Sequence, residues 1–215
     1  MERRTAPHPQ QRGRALKRLL RTLMLLLVRL FGAPGVLLAE RRARKFAPRI
    51  LLVRPDHLGD LLLVTPVLDA IKKYVPDAHI TFMVGPWSRQ VMARHGDIDE
   101  LVTCPFPGFQ RAPQKPLAPY ILLANVARQL RRGNYDLAIN LRPDFWWGAA
   151  LLYLVHIPRR VGYALEPGSQ FLTDSVPFQS PEHATISNLR LVSAGLQILG
   201  YSPLEEPYTP EQYPL

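Results

Sequence analysis

The 215-residue chain has a single cysteine, Cys104. A disulfide within the chain is therefore impossible, and a zinc site built on paired cysteines has no support. A reducing cytoplasm is the plain reading. Cys104 closes an apolar run with no basic neighbour in sequence, which predicts a small core or rim residue rather than a nucleophile. The glycine-rich signatures of phosphate binding are missing too: neither GxGxxG nor GxxxxGK[ST] occurs. A dinucleotide dehydrogenase or a P-loop enzyme loses its main support. No internal repeat stands at a solenoid period. Long uncharged runs are also lacking near the amino end. The longest within Arg14–Phe31, Thr22 to Val28, has seven residues against the roughly 20 needed to span a bilayer, so no span is expected there.

Acidic residues are scarce in one region only. The net charge of +10 suggests nucleic-acid binding until it is divided along the chain: residues 1–49 carry 13 Lys and Arg against 2 acidic residues, and the remainder carries 14 against 15. The basic character belongs to a leader of residues 1–48. The nearly neutral body argues against a nucleic-acid groove. Met1–Gly13 has no apolar pattern and is expected to be disordered. In Arg14–Phe31, Arg14, Lys17, Arg18 and Arg21 stand at helical spacing beside a leucine-rich remainder, and Gly32, Pro34 and Gly35 are expected to break the helix. Three readings compete. A signal peptide ranks lowest, because Arg29 interrupts the apolar core and no small-residue cleavage site follows. A helix lying in an anionic membrane surface (residues 14–31) ranks ahead of one packed on the protein's own body. A basic linker, RRARKFAPR, leads to Pro48 and the start of the body.

The chain length and 47% hydrophobic content allow a sizeable core but not two full α/β domains. The body opens on RILLVRPDHLGDLLLVTPVLDA, Arg49 to Ala70. Ile50–Val53 reads as a strand buried on both faces. The turn from Arg54 to Asp60 then gathers a guanidinium, two carboxylates, an imidazole and a glycine. A helix to Tyr74 follows, with Thr65-Pro66 moving its regular start towards Thr65. Strands are expected at His79–Val84, Asp99–Thr103, Tyr135–Leu141 and Arg159–Tyr163. Helices are expected at Trp87–Arg94, Tyr120–Arg132, Phe145–Val155 and His183–Leu199. The alternation indicates an α/β fold with a parallel sheet and right-handed crossovers. Cys104–Pro119, with five prolines, exposed-looking Phe106 and Phe109, and basic Arg111 and Lys115, reads as a mobile loop near the ligand mouth. Glu166–Pro181 reads as irregular. Residues 201–215, with four prolines and no patterned core residues, read as a linker.

In open α/β sheets ligands bind at the carboxyl ends of the strands, where Asp56–Asp60 and Arg142-Pro143-Asp144 meet. Asp60 can take a proton from an incoming hydroxyl, with Gly59 permitting close approach, or it can serve the helix amino end. Position alone leaves the two level. His57 orients a substrate or lines the turn, and no second ligand at metal-binding spacing accompanies it, so no metal is expected. Arg142 and Asp144 either pair with one another or grip an anionic or hydroxyl-rich ligand. His183 opens a helix, where a structural role stands beside substrate contact.

These blocks, RILLVRPDHLGDLLLVTPVLDAIKKYVPDAHITFMVG, NYDLAINLRPDFWWGAALL, RRVGY and HATISNLRLVSAGLQILG, resemble the amino-terminal half of glycosyltransferase family 9, the ADP-heptose:lipopolysaccharide heptosyltransferases. The resemblance covers about residues 49–200. It implies a GT-B fold whose amino-terminal, Rossmann-like domain holds the acceptor, and a second domain that binds an ADP-sugar donor used as co-substrate, with no further cofactor. It implies inverting transfer to a lipopolysaccharide or related glycan acceptor with Asp60 as base and with His57, Gly59, Arg142, Asp144 and His183 as neighbours. A protein peripheral to the inner face of the cytoplasmic membrane is expected. Donor-binding residues have no counterpart here, so the chain is expected to be a fragment ending in a linker to a donor domain. The turn departs from the family where Asp56-His57 replaces small hydroxyl residues, and the donor sugar stays open. The alternative is a non-catalytic, membrane-recruited glycan-binding module derived from the same half-fold.

Overall fold

A computed structural model describes residues 9–40, 47–109 and 115–214, giving the backbone alone for residues 9–18 and 40. The linker residues 41–46, Arg111 and Pro113 of the proline-rich loop, and residues 1–8 lie outside the described residues. Six strands form one sheet: β1 (Arg49–Arg54), β2 (His79–Val84), β3 (Glu100–Thr103), β4 (Leu137–Asn140), β5 (Arg159–Tyr163) and β6 (Asp174–Val176). Every pairing is parallel, and the order is β3-β2-β1-β4-β5-β6. This is the doubly wound, Rossmann-like arrangement. Its strand order reverses beside β1, so the loops after β1 and β4 flank the crevice where such sheets take ligands.

The helices are α1 (Pro9–Glu40), α2 (Leu58–Leu62), α3 (Thr65–Tyr74), α4 (Arg89–Met92), α5 (Ala118–Leu130), α6 (Trp146–Leu154) and α7 (Ala184–Ile198). β1 shows why the sheet is covered on both sides. Ile50 and Leu52 join a core with α3 and α7, and Leu51 and Val53 join a second core with α5, α6 and α1. All four are fully buried, each contributing about 1.5–3 kcal/mol. The helix after the mouth is split at Leu63–Val64, and its regular part starts at Thr65 with Pro66 in the first turn, as the position of that proline predicts. α5 runs on as a 3₁₀ turn to Gly133 and ends at Asn134, whose φ of 48° is left-handed.

Several sequence expectations are corrected. α1 starts at Pro9, so Pro9–Gly13 is helical; glutamine and arginine there are good helix formers. Nor does α1 break at Gly32, Pro34 and Gly35. A Cβ at Gly32 would stand 2.4 Å from the Tyr153 ring, and one at Gly35 would stand 2.1 Å from that of His156. These glycines let α1 lie close on the body, and that packing outweighs local propensity. Leu19–Ala39 is long and apolar enough to cross a membrane by length and composition, because only Arg21 and Arg29 interrupt it. Trp87–Arg94 is a 3₁₀ turn followed by the short α4. The stretch Glu166–Pro181 contains the edge strand β6. Residues 201–214 do carry core residues: Leu204 and Tyr213 are buried against the α3–α7 side, and the Tyr213 hydroxyl donates to Glu205 O. Phe106, expected to be exposed, is fully buried, edge-on to Phe145 and Trp147. Cys104 is buried as expected, and burial pushes its thiol up to about 12.

Candidate active site

The carboxyl ends of β1 and β4 are joined by ionic contacts that the chain folds around. Arg54 ends β1 and is 6% exposed. Its guanidinium donates to Leu141 O at 2.7 Å and to Asn188 Oδ1 at 3.0 Å, tying β1 to the end of β4 and to α7. Burial lowers its pKa to about 10, a shift opposed by the nearby Asp60 charge. Asp56 is 2% exposed and is ion-paired to Arg54 on one side and Arg142 on the other. Its carbonyl accepts from the Trp87 indole at 3.0 Å and from Ser88 Oγ at 3.4 Å. Buried charges persist only when paired in this way.

Above this floor the groups face outward. Arg142 also donates to Asp144 Oδ1 at 2.9 Å and lies 5.1 Å over the Phe109 ring. Asn140 Nδ2 donates to Phe145 O at 3.0 Å and to Arg142 O at 3.3 Å, which sets the turn after β4. His57, Trp87 and Phe109 form an aromatic wall with ring centroids 5.4 to 6.4 Å apart. Phe109 is half-buried rather than exposed, because it packs between Trp87 and Arg142.

Asp60 lies on the first turn of α2 and is exposed. The cap position belongs to His57, which makes no side-chain capping bond. The Asp60 carboxylate makes no hydrogen bond or ion pair among the described residues. A Cβ at Gly59 would meet nothing within 4 Å, so the fold itself makes no demand for glycine there; the bare backbone leaves room at the mouth. Asp144 is exposed and forms the ion pair with Arg142 that the sequence offered as one of two roles. His183 is the N-cap of α7, its Nδ1 accepting from Thr185 N at 3.3 Å. It lines a cavity of about 220 Å³ with Tyr208 and Tyr213, so its structural role is realised.

Sequence reasoning singled out Asp56 only as a departure from the family, named Arg54 only as part of the turn, and gave Trp87 no place at the mouth. Composition marked the turn as polar, but only the fold shows which charge meets which. Asp69, His95 and Asp97 approach within 4.8 Å of one another, on α3 and the turn after α4 rather than among the groups of the mouth. A cavity of about 500 Å³ also lies elsewhere, between α1 and α5.

No family model matches this chain. Over 98 residues it is 30% identical to lipopolysaccharide heptosyltransferase 3 of Escherichia coli, covering 46% of this chain and 27% of that protein. Over 127 residues it is 26% identical to lipooligosaccharide heptosyltransferase 2 of Haemophilus ducreyi, covering 59% and 34%. The chain thus spans about a quarter to a third of the length of these curated relatives. Among solved structures, the glycosyl transferase family 9 protein of Veillonella parvula superposes with a TM-score of 0.57 at 27% identity, over 72% of this chain and 42% of that one. The Escherichia coli ADP-heptose lps heptosyltransferase II gives 0.57 over 67% and 40%, and the heptosyltransferase WaaC with ADP gives 0.56 over 74% and 49%. At 20% identity these last two speak for the fold alone. The likeness read from the four sequence blocks holds in sequence and in fold: this chain resembles part of the glycosyltransferase family 9 enzymes, heptosyltransferases among them.

Proposed function

We propose that the chain is the acceptor-side half of an inverting glycosyltransferase that moves a sugar from an ADP-activated donor to a lipopolysaccharide core or related surface glycan. Asp60 is the general base. The acceptor hydroxyl gives its proton to the Asp60 carboxylate as its oxygen attacks the anomeric carbon. The bond to ADP breaks on the opposite face, and ADP leaves with the bonding pair. The observation that carries this reading is the state of Asp60: exposed, beside the reversal of strand order, with no partner among the described residues holding its carboxylate. Capping does not explain it, since His57 holds that position; the first-turn place of Asp60 suits the helix dipole but leaves its carboxylate open to solvent.

Arg142 supplies a cation fixed by Asp56, and the rings of His57, Trp87 and Phe109 offer apolar faces beside hydrogen-bonding groups, a pairing that suits a hydroxyl-rich ring. The donor is held by a second domain beyond the residues given, in keeping with matches that span 40–49% of the solved chains. The test is Asp60→Asn in the protein carrying that domain, assayed for transfer from ADP-heptose to a lipid-linked acceptor. Turnover falls about 10²–10⁴-fold with little change in KM. Near-normal turnover by this variant rejects Asp60 as the base.

A further inference from the structure

Helix α1 is apolar on both sides, and one side has a partner. Leu25, Gly32, Val36 and Ala39 are buried against the body, where the Tyr153 hydroxyl donates to Arg29 O at 2.9 Å. On the other side Leu19, Leu23, Leu26, Leu30 and Leu37 recur at i, i+4, i+7, i+11 and i+18, which is one straight stripe. These five are 49–68% exposed, and Phe31 and Leu38 beside them are 76% and 70% exposed. A helix apolar all round belongs where both sides leave water. The surface continues onto the body. Exposed Leu117, at the cap of α5, and Ile121 share a stripe with Asn125 and Arg128, which line the cavity between α5 and α1.

We propose that this leucine stripe docks on an anionic lipid bilayer, with α1 lying in the plane of the interface. Charge selects the occupant. Helix α1 carries 6 Lys and Arg against 1 acidic residue, and residues 1–49 as a whole 13 against 2, so a second copy would bring like charges together, and the body's near-neutral balance offers no acidic counterpart. Anionic headgroups complement the cations while acyl chains receive the leucines. Packing selects the orientation. The buried stripe runs from Leu25 to Ala39, about 20 Å of helix, and a crossing helix would have to leave the body along all of it. Arg21 and Arg29 lie off the leucine stripe. Arg21 stacks 5.3 Å over Trp146, at the start of α6 and two residues from Asp144. The amino end of α1 therefore adjoins the mouth, which sits at headgroup level when α1 is docked. Docking itself rests on the packing of α1 and not on the transferase reading.

The test sediments the full chain with phosphatidylcholine vesicles, with and without phosphatidylglycerol. The chain binds the anionic vesicles, and salt weakens the binding. The triple variant Leu23→Ser, Leu26→Ser, Leu30→Ser loses at least about a hundredfold in partitioning, while Val91→Ser, at an exposed apolar position on α4, does not. The triple variant keeps its circular dichroism and melting temperature, since the replaced side chains face water. Absence of binding, or binding that the triple variant retains, overturns the proposal. So does a dimer in solution that the triple variant dissolves, which assigns the stripe to a second copy. Retention through alkaline carbonate also overturns it and assigns a crossing helix. Asp60→Asn binds vesicles like the parent, so failure of the docking and failure of the catalytic reading are read separately.

Discussion

Asp56 and Asp60 stand four residues apart in one turn, the first sealed between two guanidinium groups and the second open to solvent without a partner among the described residues. The difference follows from the backbone. Asp56 is still in the extended exit of β1 and points between Arg54 and the loop after β4. By Asp60 the chain has entered α2, which turns the side chain outward. A third titratable group at the same sheet edge, Cys104 after β3, is buried with no counter-charge. The three show that burial with partners makes a strut, burial without partners silences a group, and exposure at the strand ends leaves a group free to react.

That comparison can be broken experimentally. The largest effect is the separation of activity from stability at Asp60: Asp60→Asn loses about 10²–10⁴ in turnover yet shifts unfolding free energy by no more than about 1 kcal/mol, since the exposed carboxylate acts on Arg54 through its charge alone. A large loss of stability would make Asp60 a second strut. Asp56→Ala does the reverse, leaving the buried Arg54 facing the half-buried Arg142 without a counter-charge between them and costing about 3–5 kcal/mol, read from urea denaturation midpoints. Arg142→Lys keeps the charge but loses the planar fork that serves Asp56 and Asp144 together, and costs about 1 kcal/mol. The last effect concerns pH and is absent at neutrality. Burial raises the Cys104 thiol from 9.0 to about 12, so the unfolded chain deprotonates first. The associated stability is complete below pH 9 and is lost as pH rises towards 12, at about 1.4 kcal/mol per pH unit. Urea denaturation of the parent and Cys104→Ala at pH 8, 9 and 10 measures it as a changing difference between the two.

What could be read from the sequence depended on whether a residue's role was local. β2 was placed to the residue, because an apolar run bounded by turns admits few other readings; β5, RRVGY, was placed as well although it carries two arginines and a glycine. β6 escaped notice: three residues on a half-exposed edge, Asp174–Val176, carry no periodic signal. The glycines of α1 were misread because their function lies across the interface, at Tyr153 and His156. Leu204 and Tyr213 were lost among prolines for the same reason. The mouth was located through the meeting of two strand ends, and the exposure required of Asp60 is present. The division of labour between Asp56 and Asp60 was not legible, since it depends on Arg142, which lies 86 residues from Asp56 in sequence.

Arg54 spans three elements from one side chain, reaching its own turn, the end of β4 and the start of α7. Arg142 is joined through Asp56 to Arg54 and so to α7, and the two loops cannot part without breaking contacts buried beneath them. The base of the crevice is braced, and freedom to adjust is left to the rings along its outer wall.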